Sequence, residues 1–511
     1  MVMGTASDVG KSVVVTGLCR LLARAGVRVA PFKSQNMSNN AAVCRGGGEI
    51  GRAQAVQAEA AGLEATADMN PVLLKPEGEN SCQVVIGGRA RFQMTTRDHS
   101  YYRERAWPEI VASYNRLAAQ FEVIIVEGAG GAAEVNLRDR DVANWRVAEL
   151  ADAPVLIAAD IDKGGALAAL VGTVYLLSPS ERSRVKGLII NKFRGDAGLL
   201  ADGLRIIEDR TGVPVLGILP YVGDLDIPQE DSASLKTGTT VQDQRPISVG
   251  VVRFPGISNH TDFEPLAREP DVDLQYFDRP ERVGHVDILC LPGSKNTIAD
   301  LHWLRECGWD GRISAHYRGG GSIVGICGGY QMLGHVIGDP YHVESSASAA
   351  SGLGMLEIET VFAAEKITAT VSAIDLSSRL EVSGYEIHCG RVIRLDQNPA
   401  FRIRERKGRS VDEPEGARSD DGRVLGTSIH GLFDEPRFRR HYLNQIREQK
   451  GLTRLDTSGC GDAESARMCA YDRFADLLAN NLDISSVAAL AGLSLSNLKM
   501  NRGAAALGKR L

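Results

Sequence analysis

Residues 4–12 read GTASDVGKS, between a short apolar run at Val2 and Met3 and an Ala/Leu-rich stretch that continues toward Ala25. Strand, glycine loop and helix form the setting in which a backbone can cradle phosphate. Successive N–H groups and the positive end of the helix face the anion, Lys11 reaches the terminal phosphates, and the Ser12 hydroxyl is available to magnesium. Five residues rather than four separate Gly4 from Gly10, a departure from the common GxxxxGK[ST] spacing. The competing reading is a plain turn with a solvated lysine. Glycines, lysine and hydroxyl in one strand-to-helix setting favour nucleotide binding.

Working outward, β-branched runs alternate with helical stretches from Val27 to about Gly217: VRVAPF, FEVIIVEG, APVLIAAD, VKGLIINKF and VPVLGILP. Near-continuous apolar runs of this kind predict a parallel sheet covered on both faces. Ligands of such sheets bind beyond the carboxyl ends of the strands. There Glu127 emerges, an acid suited to coordinating magnesium directly or through water. Asp160, Asp162 and Lys163 leave the sheet at a similar level, and Asn191 carries both the donor and the acceptor that would suit an adenine edge.

A polar stretch, residues 231–246, carries no apolar period and predicts a linker after a first domain of residues 1–230. A second alternating series fills residues 247–440, and residues 441–511 read as an amphipathic helical extension. The fold class is therefore α/β, with two doubly wound domains. In the second, GSIVGICGGYQMLG places Cys327 at a strand end among small residues, which permit the sharp strand-to-helix turn of a nucleophile elbow. His430 in GTSIHGLFD suits the base that deprotonates the thiol and later protonates leaving ammonia. LPGSKNT offers the N–H groups of Gly293 and Ser294, which with that of Gly328 suit an oxyanion hole. A lone cysteine and histidine are more often structural, and it is their settings that favour acyl transfer. His388 in YEIHCG competes for the role of base; His430 is preferred.

Composition narrows the class. Hydrophobic residues make up 43%, and the net charge of −6 offers no basic excess, so neither nucleic acid nor an anionic membrane is an expected partner. No basic leader and no apolar run near 18 residues is present, so a cytoplasmic protein is expected, with homo-oligomerisation left open. Nine scattered cysteines without a CxxC pair suggest neither a disulfide framework nor a zinc site.

The loop resembles the GTxTxxGKT variant of dethiobiotin synthetases. The ordered set GTASDVGKS, VAPFKSQNMSNNA, GEIGRAQAVQAEAAG, MNPVLLKP, EGAGGAAEVNLR, IINKFRGD, PGISNHTDFEPL, LPGSKNTIADL, GICGGYQMLG, GYEIHCG and HGLFD resembles the cobyric acid synthase family over most of the chain. The resemblance implies a dethiobiotin-synthetase-like domain fused to a class I glutaminase-like domain. It implies ATP with Mg2+, glutamine as ammonia donor, and amidation of the b, d, e and g carboxylates of adenosylcobyrinic acid a,c-diamide. On that reading Thr5, Asp8, Gly10, Lys11, Ser12 and Asn191 bind ATP, Ser12 and Glu127 hold the metal, and Cys327 with His430 is the catalytic pair. Other class I glutaminases carry a glutamate two residues after the histidine, where this chain has Leu432, so the resemblance implies a dyad and names no orienting group for His430. Gly131 and Ala132 stand where the family's GAGSPAE segment has Ser-Pro. The neighbouring reading, cobyrinic acid a,c-diamide synthase, would carry a glycine in place of Asp8 and a PFKxGPDYID-like stretch. A P-loop regulatory or scaffold protein with an inactive glutaminase domain is the reading from another class.

Overall fold

The computed structural model describes residues 1–493 apart from 45, 78–80, 96–98, 224–226, 228–244, 397 and 457–462. Most of the expected linker falls outside these residues.

Four parallel strands, Val2–Gly4, Val155–Asp160, Val185–Phe193 and Val215–Pro220, form the first sheet in that order. A parallel bridge from Val2 to Glu127 joins it to the parallel pair Val29–Phe32 and Val123–Val126. Val155–Asp160 is buried along its whole length, which is why it reads as an unbroken apolar run instead of alternating. Helix Lys11–Arg24 lies over this sheet and follows the phosphate loop directly.

The second domain has a six-stranded sheet in the order Val272–Phe277, Ile247–Val252, Ile288–Leu291, Ser322–Ile326, Val424–Thr427 and Ala417–Arg418, parallel except for the last strand. A largely antiparallel sheet built on the long strands Ile358–Asp375 and Glu381–Arg394 flanks it. Both expected α/β domains are thus present.

As far as residue 493 the helices expected after residue 440 divide between the two domains; the rest of the expected extension, residues 494–511, lies outside the described residues. Helix Pro436–Gln449 puts Phe438, Tyr442, Leu443 and Ile446 into the core of the second domain. Helices Ala463–Asn481 and Ile484–Leu490 return to the first domain and close the outer face of Lys11–Arg24, with Tyr471, Phe474 and Leu478 in one cluster with Val14, Leu18 and Leu22. The two helices approach so closely that a Cβ on Gly17 would sit 2.5 Å from Leu478. Arg20 grips Asp472 through two hydrogen bonds, and Asp483 N–H donates to the Leu216 carbonyl at 2.7 Å. An amphipathic pattern reports that a helix has an apolar face without saying which domain that face meets.

Between the domains lies a hairpin of the first, Ala41–Val43 with Glu49–Gly51, followed at once by helix Arg52–Ala60. Ala41, Leu73 and Val85 pack with Ile387 of the second domain. Charges are buried here too: Glu49 binds Lys75 at 3.0 Å and Lys366 of the second domain at 2.5 Å, and Lys295 binds Glu77 at 2.6 Å. Burial raises the Glu49 carboxyl, but the two ammonium groups outweigh it and hold its pKa down at about 2.

Candidate active site

Each domain gathers one set of functional side chains. In the first, Gly10 adopts φ 95°, and a Cβ there would lie 2.2 Å from the Asn191 amide nitrogen, so only glycine fits. Lys11 Nζ donates to the carbonyls of Ala6 and Gly130, both at 2.9 Å, which holds the ammonium across the mouth of the loop. Thr5 N–H joins the loop to the sheet at Ala158. Asn191 Nδ2 donates to the Val9 carbonyl at 2.8 Å while its oxygen accepts the Lys192 N–H, so its amide holds the loop itself. Lys192 Nζ reaches the Asp8 carbonyl and Asp160 Oδ2 at 2.6 and 2.8 Å. Asp162 lies further out, paired with Arg194 at 2.7 Å.

Glu127 is fully buried, and its carboxylate collects three groups. Ser12 Oγ and Lys33 Nζ donate to Oε1, each at 2.8 Å, and Gln57 Nε2 donates to Oε2 at 2.5 Å. The expected metal ligands Ser12 and Glu127 therefore stand together. Among the described residues no group of three or more His, Cys, Asp or Glu side chains gathers that could hold a metal ion. A magnesium ion that keeps water and phosphate oxygens needs only one or two protein oxygens, which suits this donor pair.

In the second domain, buried strand Ser322–Ile326 ends at Cys327, whose φ of 53° and ψ of −108° are strained for a non-glycine residue. The turn is tight: a Cβ on Gly329 would lie 2.0 Å from the Leu291 carbonyl oxygen. Gly328 packs on Gly293–Ser294, and a Cβ there would sit 2.8 Å from the Ser294 nitrogen, so the three expected oxyanion-hole residues converge. Ser294 Oγ and the Gly256 N–H both bind Asp300, which fixes this segment.

His430 and Cys327 stand close enough to interact electrostatically, and the Cys327 thiol donates to the Ile387 carbonyl at 3.6 Å. Its backbone pairs both ways with Tyr385, and its ring stacks on the Tyr385 ring at 5.1 Å. Nδ1 lies 2.7 Å from Asp262 Oδ2, and Asp262 Oδ1 accepts the Gly431 N–H at 2.9 Å. Nε2 lies 3.3 Å from Asn259 Nδ2. Burial alone would lower the His430 pKa; Asp262 and Cys327 outweigh it and raise the value to about 10. The competitor His388 instead rests its Nδ1 on the Gly390 carbonyl at 2.7 Å, with Glu386 at 3.8 Å.

Sequence reasoning missed Lys33, Gln57, Arg52, Asn259, Asp262 and Tyr385. Two of them tie the surroundings of His430 to the first domain: Asn259 Oδ1 accepts the Ala41 N–H at 2.9 Å, and Arg52 donates to the Tyr385 hydroxyl. One signal was legible. Asn259 and Asp262 follow the strand ISVGVVRF at its carboxyl end, where ligands of parallel sheets gather.

Residues 1–235 match the family described as the CobQ/CobB/MinD/ParA nucleotide binding domain, and residues 248–438 match the CobB/CobQ-like glutamine amidotransferase domain. The chain is 44% identical to the cobyric acid synthase of Syntrophobacter fumaroxidans and 47% identical to that of Sorangium cellulosum. Each alignment covers 96% of this chain and 98% of the relative. The Klebsiella pneumoniae cobyric acid synthase is 45% identical over 96% of this chain and 97% of its own length. With relatives this similar over nearly the whole length, and with a phosphate loop and a Cys–His pair built as described, the chain belongs to the cobyric acid synthase family.

Proposed function

We propose that this chain performs the glutamine-dependent amidation of cobyric acid synthases with Cys327 and His430 as its glutaminase and the loop Gly4–Ser12 as its ATP site. The single observation that carries the residue assignment is the strained strand end at Cys327, where Gly293, Ser294 and Gly328 converge and His430 is electrostatically coupled to the thiol.

Cys327 Sγ attacks the glutamine side-chain carbonyl, and the N–H groups of the Gly293–Ser294 segment and Gly328 face the developing oxyanion. The C–N bond breaks, His430 gives a proton to the leaving nitrogen, and ammonia departs from a glutamyl thioester. His430 then takes a proton from water, whose oxygen attacks the thioester and releases glutamate and the thiolate. In the first domain Lys11 and the loop N–H groups hold the ATP phosphates while the terminal phosphoryl passes to a substrate carboxylate. The acyl phosphate is the electrophile that ammonia attacks. Ser12 and Glu127 would hold magnesium, which neutralises phosphate charge. Asn191 contacts adenine on this reading through the oxygen's second lone pair, since its amide nitrogen already binds the loop. Thr5, Asp8 and Gly10 shape the loop around the phosphates.

The substrate reading is amidation of the b, d, e and g carboxylates of adenosylcobyrinic acid a,c-diamide, with ammonia passing between domains along a shielded route. The experiment is mass spectrometry of that corrinoid with protein, ATP, magnesium and glutamine. Four successive replacements of hydroxyl by amino, retained with ammonia and lost with glutamine in Cys327→Ala, are expected. An unchanged corrinoid with turnover of glutamine would overturn the substrate reading, and free ammonia escaping while both sites are intact would overturn the shielded route.

A further inference from the structure

The position at which other class I glutaminases place an orienting acid is closed in this chain. Leu432, two residues after His430, is fully buried among core side chains. An acid nevertheless reaches the same ring atom from 168 residues upstream, because Asp262 sits 2.7 Å from Nδ1 and is itself 2% exposed. Its second oxygen takes the N–H of Gly431, the residue directly after the histidine, so one carboxylate fixes both ring and backbone. Such a bidentate arrangement leaves the ring one orientation and one tautomer, with Nδ1–H toward the acid and Nε2 toward the Asn259 amide.

Resting on the glutaminase reading above, we propose that Asp262 is the positioning residue that completes a Cys327–His430–Asp262 relay. It takes the part played elsewhere by the glutamate that follows the histidine, and it is delivered from the segment PGISNHTDFEPL. The same turn carries Asn259, whose side chain bridges His430 to Ala41 of the first domain. The relay is thereby anchored on the domain that consumes the ammonia.

A carboxylate at Nδ1 favours the second ring proton, whereas the Asn259 N–H at Nε2 favours the neutral ring. A full charge outweighs an amide dipole in a buried site, so the proton is retained. Cys327, Tyr385 with Arg52 behind it, His260 and Asp434 are the other titratable groups facing this pair. Asp262→Asn removes the charge and keeps the size.

The test is glutaminase turnover against pH in the full chain for wild type, Asp262→Asn and Asp262→Glu, with ammonia-driven amidation measured in parallel. Asp262→Asn should lose ~100-fold or more in kcat with little change in KM. Its alkaline limb should fall by at least about one pH unit, while ammonia-driven amidation persists and Asp262→Glu recovers part of the rate and the limb. A normal rate in Asp262→Asn, or a lowered rate with an unmoved alkaline limb, overturns the proposal. Should Asp262→Asn fail to fold, alkylation of Cys327 in the wild-type protein decides. Rates level from near neutrality to about pH 10 support a retained ring proton, and a rise centred on an ordinary thiol range of roughly 8.5 overturns it. Absence of any glutamine turnover in wild type would instead overturn the glutaminase reading on which the proposal rests.

Discussion

The two proposed catalytic centres are built in opposite ways. The phosphate site takes its loop from nine consecutive residues, Gly4–Ser12, and adds only buttresses from elsewhere: Glu127, Lys33, Gln57 and Asn191. The proposed glutaminase site draws Asn259 and Asp262, the Gly293–Ser294 segment, Cys327, Tyr385 and His430 from five separated stretches, and Ala41 and Arg52 support it from the other domain. A site written in one stretch should be switched off by one local change and tolerate distant ones. A site assembled from many stretches should respond to each in a graded way.

The largest expected contrast tests that difference directly. Lys11→Ala should abolish amidation with glutamine and ammonia alike, whereas Cys327→Ala should abolish only the glutamine-driven reaction, by on the order of 10^4-fold or more. Corrinoid amidation with each nitrogen source reads both. If Cys327→Ala also stopped the ammonia reaction, the two sites could not be treated as separate centres.

Next in size is stability. Phe474 is 4% exposed in the cluster shared with helix Lys11–Arg24, and Phe474→Ala should destabilise the protein by about 3–5 kcal/mol. The transition lost first should be the one that ATP protects. Loss of glutaminase before ATP binding in that variant would break the assignment of these helices to the first domain.

A smaller, graded effect is expected at the seam. Arg52→Ala removes the donor to Tyr385 and leaves Cys327, His430 and Asp262 in place, so kcat of the glutaminase should fall by roughly tenfold, about 1–2 kcal/mol. Steady-state turnover of glutamine measures it, and an unchanged rate would show that the support from the first domain is passive.

Last comes a pH dependence of stability. The folded-state pKa of His430 is raised from 6.5 to about 10, so folding binds its proton in that interval. The stabilisation is fully present below 6.5 and is lost as pH rises through about 10. The gap in thermal midpoint between wild type and Asp262→Asn should narrow over this window, and a gap independent of pH would sink that account.

What the sequence disclosed follows the same division. The phosphate loop, the buried strands and the elbow at Cys327 rest on contiguous patterns, and short-range sterics set them. His430 was legible because it lies at a strand end beside small residues. Asp262 and Arg52 were not legible as partners, because the two that meet His430 and Tyr385 are 168 and 333 residues away in sequence. Likewise the chain reads helical after residue 440, but whether that helix meets one domain or the other depends on shape complementarity, such as that between Gly17 and Leu478. Asn191 was noted for its donor and acceptor, and those same two groups hold the Val9 carbonyl and the Lys192 N–H.

The return of Ala463–Asn481 and Ile484–Leu490 to helix Lys11–Arg24 also bears on how the molecule is made. Translation delivers the phosphate loop before the second domain and its covering helices after it. Until they emerge, the face of Leu18, Leu22 and their neighbours has no cover, and the ribosome still holds the chain's end. The domain begun before the other is therefore completed after it, and a ribosome stalled after the second domain would present that domain whole beside a phosphate-loop domain still lacking its cover.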